Sequence, residues 1–426
     1  MRRDDHGRGG RLLVALGAIL TITLAVLAWT RPALGSTLFL TLIGLASAAY
    51  LAGVASLART VVTRRTMTAC VLLALAGRAA LLTLPDLPRS DVVRYVWDAR
   101  VQQAGQDPYR ARPNDPALDT LHIPLTRGVD GPSYPTIYLP VAQLYFRLVA
   151  AVGESVLAFR AATVVCDLLI GAVLAFGLIA IGRSSAWSLV YLWHPLIAFE
   201  SAVGGHVDFL GVLLLTASWL ALVRRRPTLA ALALAGSILV KPLAVVLVPI
   251  YWRRVGAWDV AAGVALALVT TVIVTGGALP FGSLGTFIDQ FRFNGPVFAG
   301  LVAVAPPRVV AAGAVLAGLG VASYVRTRMA PADPAGWAWP LAAALVIAPV
   351  IYPWYLVWLV PFLTHVATLP LLVWTVSVTA VYGAWQLPTV GGLIPTSPWL
   401  LAIEFAPPVL VAIYLVTRRH RHGGAA

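Results

Sequence analysis

The fold class that the sequence predicts is all-α: a polytopic transmembrane helix bundle of about 11–13 spans, with a long extracytoplasmic loop carrying short amphipathic helices. Three observations predict it. Of the 426 residues, 59% are apolar and 11% charged, with a mean hydropathy of +0.85, whereas a soluble domain carries about 25% charged residues. Apolar runs of about 18–25 residues, each long enough for a bilayer, recur from end to end. The basic residues behind the formal charge of +14 fall in short clusters bordering these runs, which is the positive-inside pattern. A soluble enzyme, a disordered chain and a disulfide scaffold are excluded. No continuous basic face or aromatic–basic array suggests nucleic acid. Thirty of the 31 basic residues are arginine and Lys241 is the only lysine, a bias that suggests a GC-rich bacterial genome.

The first apolar run, 11–29, follows a basic start as a signal peptide would. It is longer than a usual signal core and no A-x-A site follows, so it reads as a retained span. With 36–57 and 67–84 it makes an N-terminal unit, 1–84. A basic amino terminus inside puts 58–66 inside and Leu84 outside. The polar stretch 85–135 comes next and holds seven of the 14 aspartates; a loop this long in a compact protein is usually functional. A transmembrane core, 136–417, and a basic cytoplasmic tail, 418–426, complete the division. Two segments of the core are doubtful spans. Residues 136–152 are short and carry Pro140, Gln143 and Arg147, and 228–252 have Lys241-Pro242 at their centre. If both cross, Arg224–Arg226 lie outside. If both fold back, every basic cluster lies inside, and Gly204–Asp208, Lys241 and Tyr352–Tyr355 reach the outer side beside the long loop. Cys70 and Cys166 stand inside apolar runs and read as small buried hydrophobes.

Residues 90–100 read as a short amphipathic helix. Asp91, Arg94, Tyr95 and Asp98 share one face, with Arg94 and Asp98 able to pair at i, i+4. A solvated interfacial helix would show this pattern. So would an aspartate general base at the mouth of a bundle, with arginines nearby to hold a phosphate. Ionisable groups near membrane depth are costly unless they face a cavity, which singles out His194, Glu200, His206, Asp208 and above all Lys241. Tyr352-Pro353-Trp354-Tyr355 joins two short apolar segments. His206 and Asp208 make no closed metal site; a Mg²⁺ or Mn²⁺ held by Asp91 and a phosphate is the one metal reading left open. No Walker or Rossmann glycine motif suggests a nucleotide.

The order of these motifs resembles the GT-C superfamily of integral-membrane glycosyltransferases, and within it the actinobacterial polyprenol-phosphomannose-dependent α-mannosyltransferases; the GPI mannosyltransferase I catalytic subunit is a more distant likeness. The residues that carry it are Asp91-x-x-Arg94-Tyr95-x-Trp97-Asp98, Gly105-x-x-Pro108-Tyr109 and Pro135-Thr136-Ile137-Tyr138-x-Pro140. Cys166-Asp167, His194-Pro195, Gly205-His206-x-Asp208, Lys241-Pro242 and Pro353-Trp354-Tyr355 follow in family order. The first two spans look like an addition before the shared core. The resemblance implies a plasma-membrane enzyme that moves one hexose, with inversion, from a polyprenyl-phosphate donor to a glycan or glycolipid acceptor at the extracytoplasmic face. Asp91 is then the base, and Arg94, Tyr95, Asp98, Tyr109, His206, Asp208, Lys241, Trp354 and Tyr355 bind donor phosphate or substrate, with Trp97, Tyr109 and Trp354 stacking on sugars. Relatives often show D-D or D-x-D where this chain has Ser90-Asp91-Val92-Val93, which weakens the case for a metal and leaves Asp98 as a candidate second carboxylate. The rival readings are a transporter or flippase, and a polymerase or ligase, of lipid-linked sugars.

Overall fold

Three antiparallel helices open the chain: α1 (Arg2–Thr30), α2 (Thr37–Leu57) and α3 (Arg64–Leu81). The computed structural model describes residues 2–87, 90–388, 394–395 and 397–423; residues 424–426 of the expected tail lie outside the described residues. The start of α1 lies against the α2–α3 turn, where a Cβ on Gly9 would meet Thr60 and one on Gly10 would meet Thr66. After α3 the chain enters the polar loop with α4 (Asp91–Gln103), capped by Ser90 Oγ, which accepts from Val92 N at 3.3 Å. Then follow α5 (Pro140–Val152) and the long α6 (Val156–Ala180).

The next passage is broken by design of its sequence. The short helices α7 (Leu189–Leu192) and α8 (Pro195–Phe199) lead into a π-turn over Glu200–Gly204 and a left-handed Gly205. Helix α9 (Asp208–Val223) and helix α10 (Pro227–Ile238) then form a hairpin. Lys241 precedes Pro242, and the residue before a proline avoids the helical region; Lys241 is extended at φ −152°, ending α10. The chain returns through the 3₁₀ segment Pro242–Leu247 and α11 (Val248–Tyr251). Helices α12 (Ala257–Thr275), α13 (Leu284–Gln290), α14 (Pro296–Leu301), α15 (Pro307–Arg328) and α16 (Ala335–Val346) come next. The 3₁₀ segment Pro353–Trp358, α17 (Leu369–Ser377) with its 3₁₀ continuation Val378–Gln386, and α18 (Pro398–Gly423) end the chain. Among the described residues the only β pairing is the isolated bridge Phe293–Val350.

Among the described residues seven helices are long and apolar enough to cross a membrane, and seven shorter apolar pieces run between them. Tertiary hydrogen bonds define two ends of this bundle. At one end Arg160 clamps the carbonyls of Leu84, Pro85 and Val203, and Gln386 donates to Leu34 O. At the other Arg183 holds Thr364, and Trp219 Nε1 donates to Ala332 O. Arg64–Arg65, Arg224–Arg226, Arg253–Arg254 and Arg326 all belong to turns or helix ends of the second end. The two doubtful segments fold back. Helix α5 has both ends beside the polar loop: Gln143 near its start bonds Asp98 and Gln102 of α4, and Glu154 just past its end pairs with Arg100 at 2.6 Å. Tyr251 at the close of the 228–252 hairpin returns to hydrogen-bond Ser218 of α9 at 2.5 Å.

Deep between α3 and α6 lies a charge pair: Arg78 Nε meets Asp167 Oδ2 at 2.5 Å, with both side chains at most 2% exposed. Arg78 also donates to Ala74 O and Leu192 O, so the pair ties three segments together. Removing one partner strands the other. Arg78→Met is expected to cost about 3–5 kcal/mol, read as a lower melting temperature in detergent; an unchanged melt would show the pair to be energetically idle.

Candidate active site

The first turn of α4 is set on the turn after the π-segment. A Cβ on Gly205, whose φ is 68°, would stand 3.0 Å from Val92 Cγ2, so glycine serves both the left-handed conformation and the close approach. Gly204 is equally constrained: a Cβ there would lie 2.3 Å from the Glu200 carboxylate and 2.6 Å from the His206 ring. The π-turn and these two glycines bring three groups into line. His206 Nε2 is 3.0 Å from Glu200 Oε2, its Nδ1 is 3.4 Å from Asp91 Oδ2, and the Tyr382 hydroxyl donates to the other Glu200 oxygen. Only Asp91 is open, with its side chain 38% exposed against 7% for His206 and 2% for Glu200.

Asp91 opens into a cavity of about 450 Å³. Its walls are Ser90, Asp91 and Arg94 of α4 and its cap, the 130–138 stretch of the loop, Ser283, Phe287 and Phe291 around α13, and Tyr352, Trp354, Tyr355 and Trp385 from late in the chain. Burial pushes the Asp91 carboxyl up, but the adjacent His206 and then the Lys241 charge outweigh it, so it sits below the ordinary carboxylate range. Its place in the first turn of a helix works in the same direction.

A second polar group braces the first from behind. Asp208 Oδ1 accepts from Lys241 Nζ and from Trp358 Nε1, each at 2.7 Å, and the ammonium rests 3.3 Å from the Tyr355 ring centroid. Gly211 makes this possible, since a Cβ there would fall 2.4 Å from the Trp358 ring. Lys241 therefore answers the charge of Asp208 and is covered by Tyr355, itself a wall of the cavity; the ammonium does not line it.

The family model for the alpha-(1->6)-mannopyranosyltransferase N-terminal domain matches residues 6–256, more than half of the chain. The chain belongs to that family. No curated protein and no solved structure matches it. The match begins at residue 6 and so takes in α1 and α2, the first two spans. Asp91, Glu200, His206, Asp208 and Lys241 lie inside the match; Tyr352–Tyr355, Tyr382 and Trp385 lie beyond it.

Several residues singled out in the sequence are engaged by other partners than a ligand of this cavity. Asp98 is on the buried flank of α4, 1% exposed, accepting from Gln143 Nε2 at 2.9 Å. Burial raises its carboxyl to about 6 against the charge of Arg94 and the hydrogen bonds of Thr136 and Gln143, so it is no second carboxylate for the cavity. Arg94 does not bond it: three of the five guanidinium N–H donors go to the carbonyls of Asp130, Gly131 and Tyr134. Tyr95 is buried, stacked 4.2 Å from Phe146, and takes Val207 N on its hydroxyl. Tyr109 is buried and donates to Tyr138 O; Trp97 is buried and stacks on His122. Trp354 does line the cavity, but it is sandwiched between His206 at 4.2 Å and Tyr352 at 4.3 Å, so it offers an edge and not a free face for a sugar. Asp91 faces His206, Glu200 is held by His206 and Tyr382, and Asp208 by Lys241 and Trp358; among the described residues no group of three or more His, Cys, Asp or Glu side chains is placed to hold a metal ion.

Sequence reasoning placed no site role on Glu200, Tyr138, Ser283, Phe287, Phe291, Tyr352 or Trp385. Glu200 had a signal: one of three glutamates in the chain, inside an apolar hairpin, six residues before His206. Trp385 had none, because only the packing of α17 brings it to the cavity.

Proposed function

We propose that this mannosyltransferase takes its sugar from a polyprenyl-phosphate mannose and delivers it to a glycan or glycolipid hydroxyl at the extracytoplasmic face, with inversion. The observation that carries the reading is Asp91, an exposed carboxylate at the cavity, held ionised by a histidine that is itself fixed by a buried glutamate. Asp91 takes the proton of the acceptor hydroxyl as its oxygen attacks the anomeric carbon. The new C–O bond forms as the bond to the phosphate oxygen breaks, and the electron pair leaves with the lipid phosphate. Arg94 lines the cavity, and its positive charge favours the departing phosphate. Lys241 adds positive charge from behind Tyr355. The side assignment rests on charge: the arginine-bearing turns sit at the end of the bundle opposite the cavity, and such turns stay cytoplasmic.

The test is transfer of radiolabelled mannose by purified protein in detergent or vesicles, from polyprenyl-phosphate mannose and, in a parallel arm, from a nucleotide-linked mannose, to a short mannoside. Transfer from the lipid donor alone, with an inverted anomeric centre, is the expected result. Transfer from the nucleotide donor would overturn the donor class, and movement of the lipid-linked sugar between leaflets without transfer would favour translocation.

A further inference from the structure

A second cavity, about 540 Å³, lies beside the catalytic one, and Trp385 and Ile394 line both. Its far wall is built by the first two helices: Leu27 at the end of α1, Ala33 and Leu34 in the turn, and Phe39 in the first turn of α2. This turn is locked to the rest of the bundle. Gly35 has φ 78°, and a Cβ there would fall 2.0 Å from the Tyr382 carbonyl oxygen. Gln386 Nε2 donates to Leu34 O at 2.6 Å. Leu84, Phe199 and Val203 close the other side. The polar side chains around it are spent or turned outward: Gln386 on that carbonyl, Asp86 toward Arg160 at 3.5 Å, and Arg31 exposed. What remains is an apolar hollow at the end of the bundle that carries the polar loop. Trp29, in the last turn of α1 and 82% exposed, marks that level as a membrane interface, where such rings collect.

We propose that this hollow receives the first isoprene units of the donor's prenyl chain, so that Trp385 and Ile394 divide the lipid from the phosphate and sugar in the catalytic cavity. The proposal rests on the lipid-phosphate donor reading. An apolar cavity contiguous with a polar reaction chamber matches an amphiphile whose reacting group and chain are joined at one phosphate, and ligand chambers are mostly apolar with a few placed polar groups. A glycan acceptor offers no hydrocarbon to fill it. The assignment also gives α1 and α2 a task, since without their turn the hollow has no far wall.

Filling the hollow without touching the reaction chamber tests it. Ala33→Trp and Leu387→Trp are made separately, Leu387 being a second residue of its lining. Each is assayed with mannosyl phosphates of a long polyprenol and of methanol, which has no chain to enter the hollow. The expected result is a KM for the long-chain donor raised about tenfold, the loss of roughly two buried methylenes. The methyl donor's KM, kcat and the melting temperature should stay near wild type. Equal rises for both donors, or none, would overturn the assignment, and a rise confined to a glycolipid acceptor would give the hollow to the acceptor's chain instead. Failure of the donor reading looks different, because wild type itself would then transfer from neither mannosyl phosphate.

Discussion

Asp91→Asn is expected to lower mannosyl transfer by about 10²–10⁴-fold, the range for removing a positioned general base. The amide keeps the size of the carboxylate and its place in the first turn of α4, and Ser90 still caps the helix. Donor affinity and melting temperature should therefore change little. The loss should fall on kcat, because the base acts as the acceptor hydroxyl attacks. A variant that keeps wild-type turnover would remove Asp91 from the chemistry, whereas one that no longer reaches the membrane would point to folding. Asp98→Asn, on the buried flank of the same helix, serves as the contrast: its side chain meets Gln143 and not the cavity, so turnover should survive it.

The second large effect is a shift in pH dependence on replacing Glu200 by glutamine. His206 stands between Glu200 and Asp91, and a cation in that position favours the ionised form of Asp91. The Asp91 carboxyl is accordingly depressed, against burial, by His206 first and Lys241 next. A base with a depressed value stays ionised further into the acid range, and activity falls as pH drops through that value. Glu200→Gln takes away one of the two carboxylates that favour a protonated His206. The Asp91 carboxyl then rises, and the acid limb of kcat/KM moves to higher pH. Lys241 on Asp208 and Tyr138 and Tyr352 on the cavity wall keep their partners, while Tyr382 donates to an amide oxygen in place of the carboxylate. A merely structural Glu200 would lower activity evenly across pH, so an unmoved acid limb would sink this account.

Much of the bundle was legible because its causes are local. The helical class, the polar loop and the fold-back at Lys241-Pro242 follow from hydropathy, charge and the proline rule, while the lengths do not: among the described residues seven helices reach spanning length. The fold-back of 136–152 followed from its polar residues, and α5 indeed lies along α4. The helix at 90–100 was legible in extent but only half in facing. Asp91, Arg94, Tyr95 and Asp98 were read as one stripe exposed to a single site, yet α4 is enclosed on several sides. Loop carbonyls engage Arg94, Phe146 covers Tyr95 and Gln143 holds Asp98. Periodicity tells which residues share a face; it does not say which faces are covered.

The sequence by itself determined the membrane-bundle class, the family likeness and the gathering of Asp91, His206, Asp208, Lys241 and Tyr352–Tyr355 at one end. Each depends on composition, order or the side on which a turn falls, and these are fixed along the chain. Only the tertiary structure decided what each of those residues faces. Asp91 is answered by His206, which Glu200 holds from the other side, Lys241 by Asp208, and Trp354 is closed on both faces. The hollow behind Trp385 joins residues of α1 and α2 to the end of the α17 segment. Charge partners and cavity walls are contacts between separate segments, set by how helices pack and by where a glycine lets them touch, and no local pattern encodes them.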